Sequence, residues 1–553
     1  LASINKKRIL VVLITFLFLI SCLVIRLIWL QVVMAPKYSL AVKKQTTSNI
    51  VLKPQRGIIY DANGNILATN VAGGDVYAAP KNIKHPDKIA NQLYSLLGMK
   101  KDSLYKLLNN KNSEWTVLKK NVPLDNINKI KKLNLVGIYT EDTSIRSYPD
   151  DNLLSQTLGF TGTDGNGLYG LEYSFDKYLK GIPGLEIANT DEVGHVIGLP
   201  EKLYKPEKGD DLVLTVDSVI QGYAETAIEK AYETYSPANG ITAIVMNPKT
   251  GDILAMANIP DFNPNEPNKV SSLDTWSNPA VSYLYEPGSV FKVVTASAAL
   301  EESLVTPNEQ FYDPGYYIVS GHRINSWTKL GNIDFSQAVA MSSDTVFMKI
   351  IVERLKLNTL YKYINAFGFG SLTGIQLPGE ASGMIIPEKN VHPVDLASMS
   401  FGQGIAVTPL QMIDAFSAVI NGGYLMKPNI VKEIKSGDEV IKEFKPQVIR
   451  QVISQDTSNT MKELLKKVVD EGTGTACQIP GFSVGGKSGT TENYSPGKYT
   501  ASFAAFAPVD DPQVAVLVVI RNPTKNGHMG GEIAAPVVKD ILSNTLRYLM
   551  IKK

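Results

Sequence analysis

Ser289 and Lys292 stand three residues apart in the stretch Tyr285-Glu286-Pro287-Gly288-Ser289-Val290-Phe291-Lys292. Pro287 and Gly288 end whatever precedes them, and Val290, Val293, Val294, Ala296, Ala298, Ala299 and Leu300 recur at helical spacing. A helix is therefore expected with Ser289 at its N-terminus and Lys292 on the same face. A serine hydroxyl is a poor nucleophile until a neighbour takes its proton. An amine one turn away, depressed in pKa by burial or by a second cation, can take it. Backbone N–H groups at a helix start also favour a developing oxyanion. The spacing alone is not selective, because it recurs at Ser3/Lys6, Ser103/Lys106, Ser174/Lys177, Ser326/Lys329 and Ser495/Lys498. The Pro-Gly entry and the apolar helix behind it set Ser289 apart.

Two further runs carry suitable chemistry. Gly485-Gly486-Lys487-Ser488-Gly489-Thr490-Thr491 follows Phe482-Ser483-Val484 and precedes the strand-like Ala501 to Phe506. This reads as an edge strand whose small residues let another backbone approach, with a cation suited to a substrate carboxylate. Lys249-Thr250-Gly251 and Lys435-Ser436-Gly437 share the tripeptide pattern and read as turns between strands. Ser342-Ser343-Asp344 falls near the start of an apolar, helix-like run from Ala338 to Leu355.

These runs need a scaffold. At 553 residues the chain exceeds one ordinary core and implies two or three domains. A composition of 44% hydrophobic and 20% charged residues is that of a folded protein, and a net charge of +2 gives no reason to expect nucleic-acid binding. The two cysteines, Cys22 and Cys477, support neither a disulfide framework nor a cysteine-based metal site. Lys6-Lys7-Arg8 precedes an uncharged run from Ile9 to Ile25. At about 1.5 Å per residue that run spans roughly 25 Å, and Arg26 can snorkel so that the helix continues through Trp29. One transmembrane anchor is expected over residues 9–34, rather than a cleaved signal peptide. Residues 1–8 would form a cytoplasmic tail, with everything after residue 35 outside the cytoplasm.

Beyond the anchor, Asn63-Gly64 predicts a hairpin between Ile58-Ile59-Tyr60 and Ile66-Leu67. Residues 85–135 read as Lys-rich helices. Leu212 to Asp217 reads as a strand before a helix near Ser218, and a domain boundary is expected near residue 210. Thr242 to Met256 reads as two buried strands around a turn. The Gly-rich loops between Phe367 and Pro409 are expected to border a site.

Ser289-Val290-Phe291-Lys292, Ser342-Ser343-Asp344 and Lys487-Ser488-Gly489-Thr490 come in the order of the three motifs shared by penicillin-binding proteins and serine β-lactamases. The chain more widely resembles the class B, monofunctional penicillin-binding proteins. The likeness lies in Arg56-Gly57, Arg146-x-Tyr148-Pro149, Gly170-Leu171-Glu172, Leu377-Pro378-Gly379-Glu380, Gly402-Gln403-Gly404 and Thr408-Pro409-Leu410-Gln411, and it extends to about residue 545. The resemblance implies a single membrane helix and an elongated α+β non-catalytic pedestal over residues 35–210. It also implies an α/β transpeptidase domain over residues 211–553, with an antiparallel sheet flanked by helices. The implied activity is D,D-transpeptidation of peptidoglycan stem peptides ending in D-Ala-D-Ala, without metal or cofactor. Ser289 would be the nucleophile acylated by substrate or β-lactam, Lys292 would take and return its proton, and Ser342 would relay protons to the leaving amine. Lys487, Ser488 and Thr490 would hold the terminal carboxylate, with Gly489 between them. The N–H groups of Ser289 and Thr490 would form an oxyanion hole. The implied partners are the membrane, a polytopic glycosyltransferase and other wall-synthesis proteins.

Asp344 departs from the family, which usually has Asn there. An ionised Asp only accepts hydrogen bonds, so it cannot copy the Asn contact to substrate. Its charge would also raise the pKa values of Lys292 and Lys487. One reading is a repacked neighbourhood with modest effect, and the other is an altered pH optimum or β-lactam affinity. A catalytically silent scaffold and a β-lactam-hydrolysing or carboxypeptidase-like enzyme are the alternative functions. The motifs do not distinguish elongation, division and spore formation.

Overall fold

The computed structural model describes residues 2–189, 202–492 and 497–550. Two units separate within it. Residues 1–55 and 181–208 form one, and residues 56–180 and 209–553 form the other.

In the first unit the segment Lys6–Val33 is helical throughout and long and apolar enough to cross a membrane. Arg26 lies 4.6 Å from the centre of the Trp29 ring, so its charge is carried against an aromatic face near one end of the span. A three-stranded antiparallel sheet of Thr47–Leu52, Gly184–Asn189 and Lys202–Tyr204 completes this unit.

The second unit carries the three motifs. Its central sheet has five antiparallel strands: β1 (Ile241–Met246), β2 (Ile253–Ile259), β3 (Gly485–Glu492), β4 (Tyr499–Ala507) and β5 (Val514–Arg521), in the order β2-β1-β5-β4-β3. The strand β5 is apolar throughout until Arg521 because both faces are covered. Val514, Val516, Val518 and Ile520 face a core completed by the helices Ser218–Tyr235 and Ala535–Tyr548. Ala515, Leu517 and Val519 face the opposite core, which includes the helices Lys292–Glu301 and Pro409–Ile420. The expected edge position of the Lys487 strand is present in β3.

A second sheet of this unit draws on distant sequence. Asp211–Leu214 pairs in parallel with Ile59–Tyr60 and antiparallel with Val431–Ser436. The Asn63-Gly64 hairpin is found, with Ile59 opposite Ala68 and Tyr60 opposite Ile66. The residue 85–135 region holds the helices Pro86–Leu97, Lys101–Leu108 and Leu124–Lys132, but an unexpected strand, Thr116–Pro123, interrupts them. Its alternation of buried Leu118 and Val122 with exposed Val117, Lys119 and Asn121 is a strand pattern lost among Lys-rich helices.

Candidate active site

The chain enters the site through Gly288, whose φ of 55° lies in the left-handed region. A Cβ here would fall 2.3 Å from Thr491 Oγ1, so a side chain is excluded on both counts. Gly288 N–H donates to the Gly402 carbonyl at 3.2 Å, Gly404 N–H donates to Glu286 Oε1 at 2.9 Å, and the Thr491 hydroxyl donates to the Glu286 carbonyl at 3.1 Å. The Gly402-Gln403-Gly404 loop thus braces the turn from one side and β3 from the other. Ser289 sits in a short 3₁₀ turn, Gly288–Phe291, and the α-helix proper, α1 (Lys292–Glu301), starts at Lys292. This corrects the expectation of Ser289 at the α-helix start. The two remain three residues apart in one continuous helical path. Ser289 is half-buried, and its hydroxyl has no hydrogen-bond partner among the described residues.

The second motif does not lie inside a helix. It joins α2 (Phe335–Ala340) to α3 (Asp344–Lys349), and Ser342 between them has φ 58°. That left-handed conformation costs about 1–2 kcal/mol for a non-glycine residue. Its return is geometric, since the bend turns both the carbonyl and the hydroxyl of Ser342 toward Lys292. Ser343, fully buried, accepts from Val346 N–H at the start of α3 and donates its hydroxyl to Asp313 Oδ2 at 2.5 Å.

Lys292 Nζ is consequently surrounded by oxygen: Ser342 O at 2.8 Å, Ser342 Oγ at 3.2 Å and Asp344 Oδ1 at 2.6 Å. Lys487 Nζ lies 2.9 Å from the same Ser342 Oγ and 3.0 Å from the Ser488 carbonyl. Ser342 Oγ therefore bridges two amines that are 1% and 0% exposed. Burial lowers the Lys292 pKa, and Asp344 and Asp313 offset part of that lowering. Asp344 thus acts with the sign its charge implies but does not outweigh burial. Burial and then the Lys292 charge push Lys487 well below the usual ammonium range. Its position inside the protein turns Lys487 Nζ toward Ser342, away from solvent.

Ser488 and Thr490 alternate with Lys487 and project from the other face of β3. The Ser488 and Thr473 hydroxyls are 2.8 Å apart, and Thr490 Oγ1 accepts from Gly530 N–H at 2.9 Å. A Cβ on Gly489 would lie 2.6 Å from Ser502 Oγ, 2.7 Å from the Pro287 carbonyl and 2.8 Å from Val290 Cγ2, so only glycine lets β3 approach the Ser289 turn this closely.

All eight residues singled out in the sequence thus belong to one neighbourhood of β3, the Ser289 turn and the Ser342 bend. Four others were not anticipated. Asp313 anchors Ser343, Trp327 Nε1 donates to the Ser342 carbonyl at 3.2 Å, Ser326 donates to Asp344 Oδ2 at 3.4 Å, and Thr473 meets Ser488. Asp313 ends a strand, Ser326 and Trp327 are neighbours in one loop and Thr473 lies in another, with no spacing that ties them to the motifs. Ser326 belonged to one of the competing Ser-x-x-Lys pairs. Lys249-Thr250-Gly251 falls in the turn expected of it, whereas Lys435 and Ser436 end the strand Val431–Ser436 and only Gly437 enters the turn. Among the described residues no cluster of His, Cys, Asp and Glu is suited to a metal ion. A half-exposed hydroxyl one turn from a buried chain of amines is an arrangement that can activate a nucleophile.

Residues 241–543 match the family described as the penicillin binding protein transpeptidase domain, and residues 51–214 match the penicillin-binding protein dimerisation domain. The chain is 39% identical to the stage V sporulation protein D of Bacillus subtilis, over 99% of this chain and 86% of that protein. It is 28% identical to the peptidoglycan D,D-transpeptidase FtsI of Escherichia coli, over 95% of this chain and 89% of that protein. Among solved structures it resembles penicillin binding protein 2X of Streptococcus thermophilus, with TM-score 0.73, 26% identity, and 90% of this chain and 80% of that one covered. It also resembles penicillin binding protein 3 of Mycobacterium tuberculosis complexed with aztreonam, with TM-score 0.71, 27% identity, and 91% and 98% covered.

Proposed function

This chain belongs to the class B penicillin-binding proteins, whose relatives are peptidoglycan D,D-transpeptidases, and from that premise we propose that it cross-links stem peptides through an acyl-enzyme on Ser289. The observation that carries this is the hydrogen-bonded path Lys292 Nζ–Ser342 Oγ–Lys487 Nζ, which begins one turn from the Ser289 hydroxyl. Ser289 Oγ attacks the carbonyl between the two terminal D-alanines, and its proton leaves into that path. The N–H groups of Ser289 and Thr490 take the oxyanion. The hydroxyls of Ser488 and Thr490 hold the terminal carboxylate, while Lys487, once it has taken up the proton, acts on it through its charge rather than by contact. An amine of a second strand then attacks the ester. β-Lactams enter at the same serine.

The N-terminal apolar helix anchors the chain, with the Lys6-Lys7-Arg8 side in the cytoplasm and the catalytic domain outside. Residues 35–210 serve as the non-catalytic pedestal that engages a polytopic glycosyltransferase. The 39% identity to a sporulation protein, against 28% to FtsI, favours a role in spore formation. A deletion strain that divides normally but completes no spore wall is the expected phenotype.

Gel or intact-mass detection of covalent labelling by a fluorescent penicillin tests the acyl-enzyme. Persistent labelling of the wild type that vanishes in Ser289→Ala is expected. A folded wild type that takes no label, and that releases no product from a stem-peptide thioester, is a scaffold and overturns the reading. Rapid release of the label as hydrolysed penicillin would make it a β-lactamase.

A further inference from the structure

Ser342 has one hydroxyl proton and two amine neighbours, Lys292 at 3.2 Å and Lys487 at 2.9 Å. If both amines were ammonium, Ser342 Oγ would accept from each and its own proton would have no acceptor among the described residues. Ser342 is 5% exposed, and an unmet buried donor costs about 1–3 kcal/mol. One amine must therefore be neutral and offer its lone pair to Ser342. Three acceptors face Lys292 Nζ, one of them the carboxylate of Asp344 at 2.6 Å, which matches the three N–H donors of an ammonium. Two groups face Lys487 Nζ, the Ser488 carbonyl and Ser342 Oγ, and neither is charged. The charged groups around the pair are Asp344 on α3 and Asp313 on the strand Gln310–Asp313; both raise the Lys292 pKa, and Asp344 also raises that of Lys487, by less than burial and the Lys292 charge lower it. Asp344 makes its contact with Lys292, and Lys487 is further disfavoured as a cation by the Lys292 charge.

We infer that in the resting enzyme Asp344 holds Lys292 as an ammonium, and that Lys487, neutral and two hydrogen bonds away, is the final acceptor of the Ser289 proton. This rests on the acyl-transfer reading above and gives Lys487 a catalytic role beyond orienting the substrate carboxylate. Lys292, which as an ammonium has no lone pair, first releases a proton to Ser342 Oγ while Ser342 passes its own to Lys487 Nζ. As the Ser289 Oγ–carbon bond then forms, the Ser289 O–H bond breaks and its proton goes to the lone pair left on Lys292 Nζ. The net change is one proton moved from Ser289 to Lys487 and one negative charge placed on the substrate oxygen. When the intermediate collapses, the carbon–nitrogen bond breaks and the departing nitrogen recovers the proton along the same path through Ser342.

The two amines titrate as a coupled pair, so a pH profile alone does not say which one carries the vacancy. A less basic amine of equal length separates them. Thialysine, genetically encoded at position 487 or at position 292 of the full-length protein, is to be compared with the wild type in the pH dependence of Ser289 acylation by a fluorescent penicillin. With the vacancy on Lys487, thialysine at 487 moves the acid limb of the profile to lower pH. Thialysine at 292 leaves the limb in place, because it weakens the resting and the doubly protonated states equally. A limb that moves with position 292, with both positions equally, or with neither overturns the assignment. A wild type that takes no label at any pH removes the acyl-enzyme premise itself, and the assignment with it. The two failures are thereby told apart.

Discussion

Arg56, Arg146, Glu172 and Asp176 form one buried ionic cluster of the second unit, and Lys292, Lys487, Asp344 and Asp313 form another. Each sets two basic side chains against two carboxylates. In the first, Arg56 Nε and Arg146 Nε donate to the two oxygens of the fully buried Glu172 at 2.6 Å each, and Arg56 Nη1 donates to Asp176 at 2.7 Å. Further guanidinium N–H groups close on the carbonyls of Glu172 and Gly57. Burial works against the Arg56 charge, yet Glu172 and Asp176 outweigh it and hold its pKa above the ordinary value. In the second cluster the cations are lysines, burial prevails and a proton is free to move. The lesson is that the type of cation, more than the number of charges, decides whether a buried cluster is a rivet or a relay. Guanidinium keeps its proton and meets carboxylates with a planar fork, whereas ammonium gives its proton up once desolvated.

The comparison can be broken at its strongest point by exchanging the cation types. Lys487→Arg installs a cation that cannot accept a proton, and penicillin acylation of Ser289 should fall by about 10²–10⁴-fold at every pH, the span that general acid–base catalysis supplies. Glu172→Gln makes the opposite test on the rivet. It leaves Arg56 and Arg146 buried without their shared carboxylate, and a loss of about 3–5 kcal/mol is expected in denaturant unfolding. The acylation rate per folded molecule should be unchanged.

Asp344→Asn sharpens the contrast within the relay. The Asp344 charge raises the pKa of both lysines, so removing it should move the acid limb of acylation to lower pH and speed labelling at pH 5. Glu225 supplies a case with no cation at all. Burial raises its pKa to about 7, with Leu154 N–H and the Gln221 amide as its hydrogen-bond donors and Asp261 and Glu229 as like charges nearby. Its folded pKa lies above the ordinary 4.5, so its contribution to stability is greatest below that value and is lost as pH rises through about 7. The melting temperature of Glu225→Gln relative to wild type should therefore rise between pH 5 and pH 8. The smallest effect is expected at the exposed pair Lys81–Glu114, 2.6 Å apart, where Lys81→Ala should leave the melting temperature unchanged.

Legibility in the sequence followed the range of the interaction. The Ser289–Lys292 pairing, the Asn63-Gly64 hairpin and the apolar strands β1, β2 and β4 rest on spacings of a few residues. They emerged with their expected neighbours, although the Ser289 turn proved 3₁₀ rather than α. The bend at Ser342 was hidden, because Ala338 to Leu355 is apolar at helical spacing across a break made by one left-handed residue. Arg56, Arg146, Tyr148 and Glu172 were visible only as fragments of a resemblance. Their contacts, with Tyr148 donating its hydroxyl to Glu172 at 3.3 Å, bring together residues 24 to 116 positions apart. Asp313, Trp327 and Thr473 had no such fragment and were not seen.

By itself the sequence determined which chemistry was possible here: a serine with a lysine one turn on, a second lysine in a glycine-lined strand, an acid where an amide is usual, and a leading helix long enough for a bilayer. These follow from residue type and local periodicity, which the backbone imposes on any fold. Tertiary structure alone decided that Ser342, 50 residues from Lys292 and 145 from Lys487, bridges the two amines, and that Asp344 meets Lys292. It also decided that both amines lose their water. Proton affinity depends on burial and on the nearest charges, and neither exists until the chain has folded.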